Sequence, residues 1–251
     1  MKAVAIAYSG GVDSTFLLKV AHDVLGKDIL AITASSATYP RRELKNVKQF
    51  TRSRGIKHVI IYPEQTEIDE FSKNPTNRCY YCKKELCSKI QQRASEEKIN
   101  YILDGSNAED KTDYRPGEKA LKEFGVLSPL KEVGLTKREI KELSRKMNLD
   151  IWDKPALACL ASRFPYGTKI TKSRLKMVEK AEEVIHELGV KQFRVRFHNE
   201  IARIEVLKDD FRTVLDHSDD IAKKFKQLGF KYITLDIQGY RRGSLNEGLQ
   251  K

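Results

Sequence analysis

A run of strand-forming residues, Ala3-Val4-Ala5-Ile6-Ala7-Tyr8, leads directly into Ser9-Gly10-Gly11, and a helical pattern begins at Asp13. Few arrangements restrict a chain more. The glycines lack Cβ atoms, so consecutive amides can turn toward an anion, and the new helix adds its unpaired N–H groups and the positive end of its dipole. Phosphate is the expected guest. Ser9 and Ser14 offer hydroxyl donors, and Asp13 is placed either to cap the helix or to help hold Mg2+ beside the phosphates. An ordinary glycine-bearing strand-to-helix turn is the competing reading. No Lys follows the glycines in the Walker order, and the spacing is not that of a dinucleotide fingerprint.

Beyond this loop the apolar pattern alternates between short strand-like runs and longer helical ones up to about Leu149, the sequence form of an α/β fold with a doubly wound parallel sheet. The strand runs are Ala3 to Tyr8, Ile29 to Ser35, His58 to Tyr62 and Tyr101 to Asp104. Helical patterns at Asp13 to Leu25, Arg41 to Ser53 and Cys82 to Glu97 are long enough for the crossovers that parallel pairs need. After Thr171 the order changes: a helix (Ser173 to Leu188), two strand runs (Gln192 to His198, Ile201 to Leu207), a helix (Phe211 to Leu228) and a last strand run (Tyr232 to Ile237) read as a smaller α+β unit. The expected division is residues 1–153, an irregular segment 154–170 holding Pro155, Pro165 and Gly167, and residues 171–251 for substrate contacts or oligomerisation.

The 47 Lys and Arg against 35 Asp and Glu give a formal charge of +12, which favours phosphorylated ligands but is spread along amphipathic helices as solvated faces. The apolar stretches fall far short of the roughly 20 residues that span a bilayer. Met1-Lys2 opens straight onto a strand-like run, so a cytoplasmic protein with no membrane partner is expected.

Cys79 and Cys82 form a Cys-x-x-Cys pair, and Cys159 lies in the irregular segment. The pair sets two sulfurs near one turn of chain, so both can bind one metal centre, and Cys159 is a candidate third ligand. Three thiolates would leave one iron of a 4Fe–4S cluster open to hydrosulfide. Zinc, with Cys87 or a distant histidine as fourth ligand, is the main alternative, followed by a redox pair and a disulfide. Arg194-Val195-Arg196 puts two guanidinium groups on one side of a strand, either to bracket a phosphate or carboxylate or simply to solvate an edge.

Ser9 to Ser14 resemble the PP-loop of ATP pyrophosphatases, which cleave ATP between the α and β phosphates and pass AMP to an acid or amide oxygen. The resemblance extends along nearly the whole chain through Asp104 to Asn107, Arg115-Pro116-Gly117, Ala158 to Arg163 and Gly239-Tyr240-Arg241, and it is to the LarE family. Members of that family are ATP-dependent sulfur transferases acting on pyridinium-3,5-biscarboxylic acid mononucleotide, a precursor of the nickel-pincer nucleotide cofactor. The resemblance implies ATP and Mg2+ as cofactors and nucleotide contacts from Ser9, Gly10, Gly11, Asp13, Ser14, Ser35, Gly105 and Asn107. It implies substrate contacts from Ser162, Arg163, Arg194 and Arg196, with Cys159, Asp13 and Arg163 serving catalysis. One branch gives up the sulfur of a cysteine matched here by Cys159. The presence of Cys79 and Cys82 resembles instead the cluster-bearing branch, in which Cys159 is a ligand and sulfide is passed on. A small-molecule nucleotide substrate, a sulfide or persulfide donor and a homo-oligomer are then the expected partners, with nucleic acid disfavoured. A PP-loop tRNA thiolase and a non-catalytic sulfur or cluster carrier are the competing functions.

Overall fold

The computed structural model describes residues 2–112, 116–155, 158–241 and 243–249, with the side chains of Lys111, Thr112 and Leu249 outside the description. Arg115 of the Arg115-Pro116-Gly117 run, and Ala156 and Leu157 of the irregular segment, lie outside the described residues. The chain divides into two units, one of residues 1–71 and 76–157, the other of residues 72–75 and 158–251.

In the first unit, alternation of apolar side chains builds two cores on one sheet. Strands β1 (Val4–Ala7), β2 (Ile29–Ala34), β3 (His58–Ile61) and β4 (Tyr101–Leu103) pair in parallel in the order β3-β2-β1-β4. Val4 and Ile6 face one cluster, which includes Leu18 of α1 (Val12–Leu25), Val47 of α2 (Arg41–Ser53) and, later in the chain, Ile140. Ala5 faces the other, with Leu30, Ile102 and Ile90. Helix α3 (Asp69–Ser72) is short, whereas α4 (Arg78–Glu96) is long and supplies Ile90 and Ala94 to that second face. Three helices complete the unit: α5 (Gly117–Glu123), α6 (Pro129–Glu132) and α7 (Lys137–Lys146), the last carrying Ile140. The sheet is thus doubly wound. Chain order reverses between β1 and β4, and ligands in such sheets settle in the crevice beyond the strand ends at that reversal.

Helix α4 starts one turn earlier than its apolar pattern indicates, so Cys79 and Cys82 both lie on its first turns. α5, α6 and α7 are absent from the helical patterns expected from sequence; α5 and α6 are too short to show an apolar period, whereas α7 carries one through Ile140 and Leu143 that sequence reasoning passes over. At the edge of the first core, His58 Nε2 is 2.8 Å from Thr33 Oγ1, and Thr33 donates to Tyr8 O at 2.7 Å, fixing the end of β1 just before the glycine loop. Burial, then Lys48, pushes His58 down to about 4. The unfolded chain protonates this histidine below about pH 6.5, whereas the folded one resists until about pH 4. Stability should therefore fall as pH drops across that window and level off beneath it, by up to about 3 kcal/mol. Urea unfolding at pH 7 and pH 4.5 checks this; His58→Gln should flatten the difference, and an unchanged difference would assign it to other groups.

The second unit is built on α8 (Lys172–Glu187), capped by the Thr171 hydroxyl, which accepts from Arg174 N. Strands β5 (Phe193–His198) and β6 (Ile201–Val206) form an antiparallel hairpin, and β7 (Tyr232–Leu235) pairs in parallel with β6. The single helix expected from Phe211 to Leu228 is two, α9 (Phe211–Asp216) and α10 (Ser218–Leu228). His217 breaks it: its ring Nδ1 lies 2.8 Å from Thr213 O, and its own carbonyl receives the first amide of the new helix, from Ile221. Phe164, Phe197, Phe225 and Phe230 stack in series with ring centroids 5.1–6.0 Å apart. Residues 72–75 join this unit through backbone and side-chain bonds: Ile170 N donates to Ser72 O, Gly167 N to Asn74 O, and the Asn74 amide to Pro165 O at 2.7 Å. Among the described residues no helix is long and apolar enough to cross a membrane.

Candidate functional site

The glycine loop occupies the reversal point of the sheet. Gly10 has φ +72°, a conformation natural to glycine, and a Cβ there would stand 2.5 Å from Val47 Cγ1. Gly11 takes the N-cap position with no side-chain cap, and Thr15 N→Gly11 O is the first intrahelical bond. The amides of Val12, Asp13 and Ser14 therefore point out of the helix end, where the dipole is positive. Ser14 is buried and accepts from Ser9 N at 3.3 Å while donating to Gly11 O at 3.2 Å; its oxygen is 3.0 Å from that of Ser9. Tyr39, whose phenol burial keeps protonated, donates to Ser9 O at 3.0 Å.

The loop after β4 closes on this helix end. A Cβ on Gly105 would lie 2.8 Å from Ser14 N, so only glycine allows the approach. Asp104 accepts from the hydroxyls of Ser106 at 2.7 Å and Ser128 at 2.6 Å, which fixes the turn. Asn107 is buried; its amide reaches Asp13 at 3.4 Å, and its side-chain oxygen accepts from Glu109 N. Ser35 lies just past the end of β2, half-buried, with its amide bonded to Ile61 O.

Two lysines that sequence reasoning does not single out complete the loop. Lys137, at the start of α7, holds both oxygens of Asp13 at 2.7 Å. Asp13 thus does not cap α1, and of the two roles considered for it, capping is set aside because its carboxylate faces Lys137 and Asn107. Lys154 donates to Gly10 O at 3.2 Å and pairs with the buried Glu43. The capping box of Thr136 and Glu139 marks where α7 begins and so is a usable signal. Nothing local indicates what Lys137 meets.

Cys79 is exposed and Cys82 half-buried, three residues apart and hence on one face of α4. Cys87 is buried, and burial pushes its thiol up, as for an inert core cysteine. All four cysteines are thiols, and among the described residues no group of three or more His, Cys, Asp or Glu is gathered for a metal ion. The Cys79–Cys82 pair accordingly fits two positions of a metal centre and not, by itself, a complete one.

In the second unit Cys159 is exposed at the head of a 3-10 turn, Leu160–Arg163. Arg163, 2% exposed, binds Glu182 through Nε at 2.6 Å and Nη2 at 3.0 Å, and its Nη1 reaches Ser162 Oγ at 2.8 Å and the carbonyls of Ala158 and Cys159. Burial alone would raise the Glu182 carboxyl, but Arg163, Arg194 and the Val195 N–H outweigh it and hold it below the ordinary value. Arg196 binds Glu205 and donates to Ser162 O at 2.8 Å. Arg194 lies over the Tyr240 ring, and burial, then Arg163, pushes it down to about 10. Both strand arginines are buried, so the alternative of a solvated edge does not hold. Sequence reasoning passes over Glu182, although a carboxylate on the face that carries Val178 and Ile185 is a visible irregularity.

The site is therefore a helix end with open amides at a sheet reversal, an arrangement suited to an anion, together with, in a separate unit, an exposed thiol on a loop held by two buried Arg–Glu pairs. No family model matches the sequence. The chain is 42% identical to an uncharacterized protein of Synechocystis over 98% of this chain and 92% of that one. It is 36% identical to the pyridinium-3,5-bisthiocarboxylic acid mononucleotide synthase of Lactiplantibacillus plantarum over 100% and 91%. A more distant likeness, 22% identity over 94% and 67%, is to one component of the glutamine-hydrolyzing GMP synthase of Saccharolobus islandicus.

Proposed function

The chain belongs to the LarE family, that of pyridinium-3,5-bisthiocarboxylic acid mononucleotide synthase, and on that premise we propose that it is an ATP-dependent sulfur transferase forming a thiocarboxylate on a pyridinium mononucleotide. The observation that carries ATP use is the glycine loop: open amides at a helix N-terminus, at the one place in a doubly wound sheet where ligands gather. In the proposed reaction a carboxylate oxygen attacks the α-phosphorus of ATP and pyrophosphate leaves. A hydrosulfide-level sulfur nucleophile then attacks the acyl carbon, AMP departs with the former carboxylate oxygen, and a proton is released. The amides of the first turn and the hydroxyl of Ser9 hold the phosphates, with Gly105 and Asn107 closing one side and Ser35 lying toward the nucleoside. Asp13 is the proposed Mg2+ contact, and Lys137 must then yield it and turn to phosphate.

Cys159 is the proposed sulfur-handling residue, and Ser162, Arg194 and Arg196 the proposed acceptor contacts. Arg163 acts by position: its donors hold the carbonyls beside Cys159. Cys79 and Cys82 are the proposed ligands of a 4Fe–4S cluster, which when bound would supply an iron site able to carry a transferable sulfide. Protein purified without oxygen should contain iron and acid-labile sulfide, and Cys79→Ala should lose both along with sulfide-dependent turnover. A Cys79→Ala protein that retains its full iron and turnover contradicts the assignment and leaves Cys159 as a consumed donor.

A further inference from the structure

Between α4 and α5, in the first unit, lies a cavity of 560 Å³, within the range of about 300–1,000 Å³ usual for small-molecule sites. Its walls include Cys79 and Lys83 of α4, Leu121 of α5, Val126, and Ser106 and Ser128 beside the end of β4. The helices approach closely because residue 117 is glycine: a Cβ there would meet Lys83 Cγ at 2.9 Å.

Lys83, Lys122 and Lys131 line the cavity together with Asp110, Glu118 and Glu132. Lys131 pairs with Glu118, and the exposed Lys122 lies 4.0 Å from the same carboxylate. Asp110 accepts from Asn107 N, and Glu132 from Ser128 N. Lys83 is half-buried, and among the described residues its ammonium has no hydrogen-bond or ion-pair partner. It lies four residues after Cys79, on the same helix face. Such a group favours an anion. The opposite wall is tied to the phosphate loop, since Ser106 follows Gly105, which rests against Ser14. Apolar area from Leu121 and Val126 suits a flat ring.

We propose that this cavity is the subsite for the acceptor's aromatic carboxylate, with Lys83 holding its anionic group. The inference rests on the adenylation reading above and adds to it where the acceptor ring sits: one wall adjoins the loop assigned to ATP and another carries a thiol. A reacting carboxylate must lie about 3–3.5 Å from phosphorus, and a ring placed here needs no passage through the core to get there.

The test uses the full chain purified in air, without the cluster proposed above so that Cys79 is a thiol, and a pyridine dicarboxylate as probe, with binding followed by equilibrium dialysis and by the rate at which iodoacetamide labels Cys79. In the wild type the probe should slow Cys79 labelling. Lys83→Met keeps the side-chain stem and should raise the probe's Kd at least about tenfold, the loss of a charge-assisted contact. It should also abolish protection of Cys79 while leaving ATP binding unchanged. Lys122→Met, at an exposed position, should keep both. Equal labelling with and without probe in the wild type, or full protection in Lys83→Met, overturns the subsite. Loss of ATP binding by the wild type instead sinks the adenylation reading, so the two failures are distinct.

Discussion

Gly10→Ala should bind ATP at least about thirtyfold more weakly than the wild type while remaining folded, because a methyl group there meets two costs at once. At φ +72° an L-residue costs roughly 1–2 kcal/mol. The added Cβ also lies 2.5 Å from Val47 Cγ1, in a fully buried side chain that has nowhere to move, and overpacking of this kind costs about 1–3 kcal/mol. The loop is the softer partner. It shifts, and the amides of Val12 to Ser14 lose their common aim. Equilibrium dialysis with ATP measures the loss, and release of AMP should fall in proportion. Adding Val47→Ala removes the steric cost but not the dihedral one, so affinity should recover in part. If the single variant binds ATP as the wild type does, the phosphates are held elsewhere.

The second large effect concerns the loop of Cys159. Glu182→Ala should destabilise the second unit by about 3–5 kcal/mol, because it leaves the Arg163 guanidinium buried without its counter-charge. Val195 N loses its acceptor in the same change. Against a typical total of about 5–15 kcal/mol that is a large share. The cause is the unpaired charge rather than the lost pair, so Glu182→Leu combined with Arg163→Met should be less destabilised than Glu182→Ala alone. Urea unfolding of the three proteins decides it. A loss below about 1 kcal/mol in Glu182→Ala would mean that water reaches Arg163, and the bracing role assigned to it would not stand.

How much of this is legible in the sequence depends on how local the cause is. The strand, glycine turn and helix at residues 4–25 are contiguous, and their pattern makes both the glycine loop and the parallel sheet legible. The apolar pattern starts helix α4 a turn late because Asn77 to Tyr81 hold no apolar repeat; its start is set instead by packing against α5 through Gly117. The break at His217 is hidden because Phe211, Val214, Leu215 and Ile221 keep a helical spacing across it. Lys137 and Lys154 meet Asp13 and Gly10 of the glycine loop from 124 and 144 positions away, and no local rule carries that information. Arg194 and Arg196 are visible as a pair on one strand face, but the carboxylates that neutralise their surroundings, Glu182 and Glu205, are recognisable only as charges among apolar neighbours.

The central step of the proposed reaction is the transfer of a carboxylate oxygen to AMP, and one isotope measurement addresses it directly. The acceptor pyridinium-3,5-biscarboxylic acid mononucleotide, labelled with oxygen-18 in its carboxylates, is incubated with the protein, ATP, Mg2+ and sulfide in the absence of oxygen. Mass spectrometry should find one labelled oxygen in each AMP released and sulfur in its place on the acceptor. Unlabelled AMP, or a thiocarboxylate formed while ATP stays intact, would contradict the account.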